Sequence, residues 1–282
     1  MVPSIRYLSS PSKELLLEVS KHEAAKKTYS HAIRFKNTKK PIQSFWQEIL
    51  QRLLSDPGLI ERVKPAIEFV YNEQDTFASL LKDLQNYFPD GTDINCNLYT
   101  MLGYDIGIVS DGQALINLAH KEFQRDPLEI LYMAMHELHH VVYTKYNQIF
   151  DLTRVHQTEQ LADAVRYCTH MEGLAVYATL EQRKATDTLG PEDYQTFLDK
   201  KQRNKRVSEY FNLLTRLDMK MGYSVSEKEL QILDQMSGRK RLWYIAGAHM
   251  AETIDKQSGR EVLNETIRLG HDNFFQMYHE VI

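Results

Sequence analysis

A chain of 282 residues with 43% hydrophobic content can bury a substantial core, and it reads as one compact unit spanning 1–282. Its net charge of -4, from 34 basic and 38 acidic residues, offers no broad electropositive field and excludes nucleic acid as the expected partner. Two cysteines argue against a disulfide framework, no signal core opens the chain, and no run approaches the ~18 apolar residues of a membrane span, so a cytoplasmic protein is expected.

Residues 1–90 read as a helical N-terminal part, and residues 91–282 as a core that ends in further helices. Ser10-Pro11-Ser12 opens a helix over 11–35, and amphipathic patterns cover 41–54 and 59–88, separated by Asp56-Pro57-Gly58. His22 and His31 in the first of these are read as solvated or core histidines. After Pro89-Asp90-Gly91 the character changes. Two β-rich runs, 104–109 and 114–118, are joined through Ser110-Asp111-Gly112-Gln113, a tight-hairpin signal.

A helix over 128–143 follows, its start marked by Asp126 as cap, Pro127 at the first position and Glu129 at the third. Beyond it lie a long helical pattern over 157–184, a break at 187–191, and a second long helix over 191–221. Then come a capping box at Ser226-Glu-Lys-Glu229, a helix over 241–256 ended by Ser258-Gly259, and two short helices. The basic clusters Lys200-Lys201 and Arg239-Lys240-Arg241 read as solvated helix faces.

The 128–143 helix carries His136-Glu137-Leu138-His139-His140, an H-E-x-x-H. Histidines four apart on a helix project about 40° from one another, so His136 and His140 can reach one metal ion. Glu137, about 100° round from His136, is placed to take a proton from metal-bound water. Leu131, Ala134, Met135, Leu138 and Val142 fall on the opposite half, which predicts an apolar back and a chemical front. His139 reads as structural.

A catalytic zinc needs a third protein ligand, and two carboxylates compete for the place. Glu172 is followed by Gly173 and Ala175, which would let its helix approach the His136 helix closely. Glu159 is the rival, with Asp163 one turn later available to orient a ligating histidine. His156 and His170 are lesser candidates. On the 241–256 helix, Gly247, Ala248 and Ala251 share a face with Tyr244, so another helix can come close while the phenol projects from the seam.

These residues resemble a gluzincin-type zinc metallopeptidase. His136-Glu137-Leu138-His139-His140 followed by Glu172-Gly173-Leu174-Ala175 is similar to the H-E-x-x-H and E-G-x-A pair of poorly characterised, predicted zinc-dependent protease families. Tyr244-Ile-Ala-Gly247-Ala-His-Met250 and Gly259-Arg260 extend the likeness over residues 105–260. The resemblance implies a zincin-like α+β fold, predominantly α, with a small antiparallel sheet or hairpin before the H-E-x-x-H helix. It implies one zinc per chain on His136, His140 and Glu172, and a peptide or protein substrate. Glu159-Gln-Leu-Ala-Asp163 departs from that pattern and resembles the E-x-x-x-D of thermolysin-like enzymes, where such a Glu is the ligand.

The reaction expected is peptide hydrolysis by a metal-activated water, with Glu137 as general base and Tyr244 donating to the developing oxyanion. The strand at 114–118, or its partner, would align the substrate backbone. A core tyrosine is the plain alternative for Tyr244. For the whole chain the alternatives are a non-catalytic helical interaction or structural protein that binds zinc, and a di-iron bundle. The bundle needs a second E-x-x-H, and no other histidine has a Glu three residues before it.

Overall fold

In the computed structural model the residues described are all but 1, 152–153, 187–189, 191 and 239. Apart from Gly190, the break expected at 187–191 therefore lies outside them, as does Arg239 of the basic cluster. The chain folds as two compact units, 1–83 with 94–141 and 84–93 with 142–282.

The first unit opens with α1 (Val2–Ser9), α2 (Lys13–Lys21), α3 (Glu23–Lys36), α4 (Ile42–Leu54), α5 (Leu59–Asn72) and α6 (Gln74–Gln85), the last of which runs into the second unit. The single helix expected over 11–35 is two. Ser12 caps α2 by accepting from the Leu15 N–H at 3.1 Å, but His22 takes an extended conformation and its Nδ1 accepts from the Ala24 N–H, starting α3 afresh. The expected 59–88 helix likewise breaks, at Glu73.

Then come β1 (Leu98–Met101), β2 (Gly107–Ser110) and β3 (Gln113–Asn117). β2 and β3 form the expected hairpin, with Ser110 opposite Gln113. Asp111 and Gly112 both carry positive φ, 50° and 68°, as a two-residue turn with right-handed strand twist requires. The sheet is not purely antiparallel, however. Its order is β1-β3-β2 and β1 runs parallel to β3, so it is a mixed sheet with β3 in the middle.

Both sheet faces are covered, which is why β3 is apolar on successive residues instead of alternating. Ile116 joins a core with Trp46, Leu50, Val63, Leu102, Leu118 and Phe123, while Leu115 packs with Ala24, Met101 and Ile108 on the other side. The Trp46 indole N–H donates to the Ala25 carbonyl at 3.1 Å, so its burial leaves no polar atom unpaired. A short α7 (Lys121–Arg125) leads to α8 (Glu129–Tyr146), which starts in the first unit and ends in the second.

The second unit holds α9 (Thr158–Ala185), α10 (Glu192–Leu198), α11 (Lys200–Asp218), α12 (Glu227–Ser237), α13 (Leu242–Ser258), α14 (Arg260–Leu269) and α15 (His271–Val281). The helix expected over 191–221 is divided at Asp199, whose carboxylate accepts from the Lys201 and Gln202 N–H groups and begins α11. The Ser226/Glu229 capping box is formed, and Gly259 ends α13 at φ 92°. Inside the unit His170 is fully buried. It lies between the Tyr143 hydroxyl and Thr266 Oγ1, each 3.0 Å away, and is stacked on Phe274, a structural role. Among the described residues no helix is long and apolar enough to cross a membrane.

Candidate metal centre

In the first unit the site begins with the start of α8. Asp126 Oδ1 accepts from the Leu128 N–H at 3.0 Å, and its carbonyl accepts from the Glu129 N–H, so the first turn is capped as expected. Further along the helix, the His136 and His140 rings stand 4.5 Å apart between centroids and at 81° to one another. Two imidazoles so arranged, with a carboxylate between them in sequence, form a nitrogen-rich donor group suited to zinc.

α8 is not one-faced. Leu131, Ala134, Met135, Leu138 and Val142 are buried as expected, but so are His139, Val141 and Tyr143, and Glu137 and His140 are only 6% and 8% exposed. The chemical side of the helix is therefore also out of bulk water, where charge–dipole interactions are stronger than on a wet surface. His136 alone of the motif histidines is half-buried.

Gly107, at the start of β2, lies directly against Glu137. A Cβ built on it would be 2.6 Å from Glu137 Oε1. Sequence reasoning missed this residue, although a glycine inside a β-rich run is a known sign of close approach. β3 is paired on both edges, so it has no edge for a further strand; β2 is the edge strand beside Glu137.

In the second unit, Glu172 sits in the middle of α9, half-buried. The glycine after it does allow a close helix approach, and the neighbour it meets is α13. A Cβ on Gly173 would lie 2.3 Å from Gly247 Cα. This crossing puts Glu172 near the first turn of α13, close enough for its charge to act on Tyr244, Arg241 and Asp193. Burial, and then the charge of Glu172, push the Tyr244 phenol well above its ordinary pKa, so it is a proton donor at neutral pH. The neighbouring Trp243 acts on the same phenol in the opposite direction, through its side chain.

Arg241 is not part of a solvated face. Its guanidinium carbon is 3.3 Å from the Tyr244 ring centroid, and its Nε donates to Asp193 Oδ2 at 2.8 Å. Asp193 is itself drawn upward in pKa by burial, with the Arg241 charge opposing that shift. A signal for Arg241 was available in the sequence. A cation at the N-terminus of a helix opposes the helix dipole, and local conflicts of that kind gather at functional sites.

The competing carboxylate is engaged elsewhere. Glu159, in the first turn of α9, accepts from the Gly222 N–H at 2.8 Å. It lies about 20 Å along the helix from Glu172. Asp163 pairs with His271 Nε2 at 2.6 Å, beside Asp272. His156 is exposed, and Cys168 is a free thiol.

No curated protein and no solved structure matches the chain. A family described as "Putative zinc dependent peptidase (DUF5700)" matches residues 6–282, nearly the whole length, and the chain belongs to that family.

Proposed function

We propose that this chain is a zinc-dependent peptidase of zincin-like design, with one zinc held by His136, His140 and Glu172. The observation that carries the reading is the pair of imidazoles 4.5 Å apart on α8, with the buried Glu137 between them, in a member of this family. Glu172 is favoured over Glu159 because it is half-buried beside Tyr244 and Arg241, while Glu159 holds the Gly222 turn.

Zinc bound there would supply a water of lowered pKa and a Lewis acid for the scissile carbonyl. The chain's own residues do the rest. Glu137 would accept a proton from the attacking water and pass it to the leaving amine; its burial keeps it from competing solvent. Tyr244, held protonated, donates to the oxygen that becomes negatively charged. An extended substrate pairs with the outer edge of β2, which brings its backbone to Glu137 across Gly107.

The test compares wild type with Glu137→Gln by metal analysis and by cleavage of a mixed peptide library. Zinc in both proteins with cleavage only by wild type is the expected result. Zinc in both with cleavage by neither would replace the enzyme with a zinc-binding structural protein.

A further inference from the structure

Arg241, at the start of α13, is held in an unusual way. Its backbone lies in the left-handed region, φ 51° and ψ 40°, which residues with a side chain avoid, and it is the cap of α13. The guanidinium carbon sits 3.3 Å from the centre of the Tyr244 ring, and Nε donates to Asp193 Oδ2 at 2.8 Å. These two contacts fix the plane of the group. Among the described residues neither Nη group has a hydrogen-bond partner, and about a third of the side chain, 35%, is exposed.

A guanidinium so clamped presents two parallel N–H donors in a fixed direction. That fork matches the two oxygens of a carboxylate, and immobilising it in advance removes much of the entropy cost of binding. A peptide carbonyl would use only half of the fork. We infer that Arg241 is a substrate-binding residue that receives a carboxylate of the peptide next to the scissile bond, either its C-terminal α-carboxylate or an Asp or Glu side chain. This rests on the peptidase reading and deepens it, because the first source makes the enzyme an exopeptidase acting from the C-terminus and the second makes it selective for acidic positions.

Four N-acetylated, mixed-sequence decapeptide pools separate these sources: ending in a free carboxylate or an amide, each with or without Asp and Glu. Binding is measured by fluorescence anisotropy on the full-length, zinc-loaded Glu137→Gln protein, and cleavage on wild type. Carboxylate-bearing pools should bind roughly ten- to a hundredfold tighter than the amide pool lacking Asp and Glu. Arg241→Gln should abolish that preference. Arg241→Lys, which keeps the charge and can still reach Asp193 but lacks the fork, should recover part of it. In wild type the change should appear mainly in KM. A preference that survives amidation only when Asp or Glu is present assigns a side-chain carboxylate; one lost on amidation assigns the terminus.

Equal binding of all four pools, or none of any, would overturn the inference before any Arg241 variant is made. A preference unchanged in both folded Arg241 variants would overturn it too. Carboxylate-dependent binding with no cleavage by wild type would instead remove the peptidase reading and leave Arg241 as a ligand-binding residue.

Discussion

Gly173 of α9 and Gly247 of α13 meet backbone to backbone: a Cβ on Gly247 would lie 2.1 Å from the Thr169 carbonyl oxygen and 2.7 Å from Gly173 Cα. Neither obstacle is the end of a flexible side chain, so a methyl group can be accommodated only by separating two helices. Gly247→Ala should therefore destabilise the protein at the upper end of the about 1–3 kcal/mol typical of overpacking. It should also disturb Tyr244 three residues away. Urea unfolding followed by circular dichroism measures the first effect. A midpoint within error of wild type would mean that the helices have room to part.

Gly107 and Glu137 make the corresponding contact in the first unit, where an added Cβ would press on the carboxylate itself. If Glu137 is the general base, Gly107→Ala should lower kcat by about a hundredfold, the scale of an ångström's misplacement of a reacting group. Zinc content should stay at the wild-type level, because His136 and His140 are not displaced. Metal analysis beside steady-state kinetics decides it: loss of zinc would show the contact to be structural support for the helix.

The readable parts were those governed by short-range chemistry. The Asp126 cap of α8, the Ser226/Glu229 capping box and the Asp111-Gly112 turn are each determined within a few residues, and each appears where expected. Three features depend on partners distant in sequence. β1 joins the sheet in parallel through pairing with β3 across an intervening strand, which turns an expected hairpin into a mixed sheet. Gly173 announces a close helix approach but not which helix makes it, and the neighbour is α13. Arg241 belongs to a run of cations that reads as solvated until Asp193 and Tyr244 are brought to it. The H-E-x-x-H and Glu172 were visible as residue types; the burial of Glu137 and the approach of Gly107 were not, because both come from neighbours outside the helix.

The choice of third ligand has a direct test. Glu172→Ala should lose its zinc on dialysis, since two imidazoles alone hold the ion weakly. Glu159→Ala should keep it, at the cost of one charge-assisted hydrogen bond to the Gly222 N–H, roughly 1.5–3 kcal/mol and less at a half-exposed position. Inductively coupled plasma analysis of the two dialysed proteins gives the answer. Zinc retained by Glu172→Ala and lost by Glu159→Ala would reverse the assignment.

Acid sensitivity should come in part from His31, far in sequence from the candidate centre. Burial draws its pKa down to about 4, with Asp105 opposing the shift and Lys36 and Arg34 adding to it, and its neutral Nδ1 stands 3.0 Å from the Tyr104 hydroxyl. A histidine whose folded pKa lies below its unfolded value of about 6.5 takes up a proton in the unfolded chain first. Its contribution is therefore complete above pH 6.5 and is lost as the pH falls from 6.5 to about 4. Half-burial and solvent screening limit the loss to about 1–2 kcal/mol. His170, held neutral by burial, acts in the same direction, so the two must be separated. Unfolding free energies of wild type and His31→Gln at pH 7 and pH 5 do this. The substitution should lower stability at pH 7 and flatten the slope toward pH 5, whereas parallel curves would show that His31 carries its proton equally in both states.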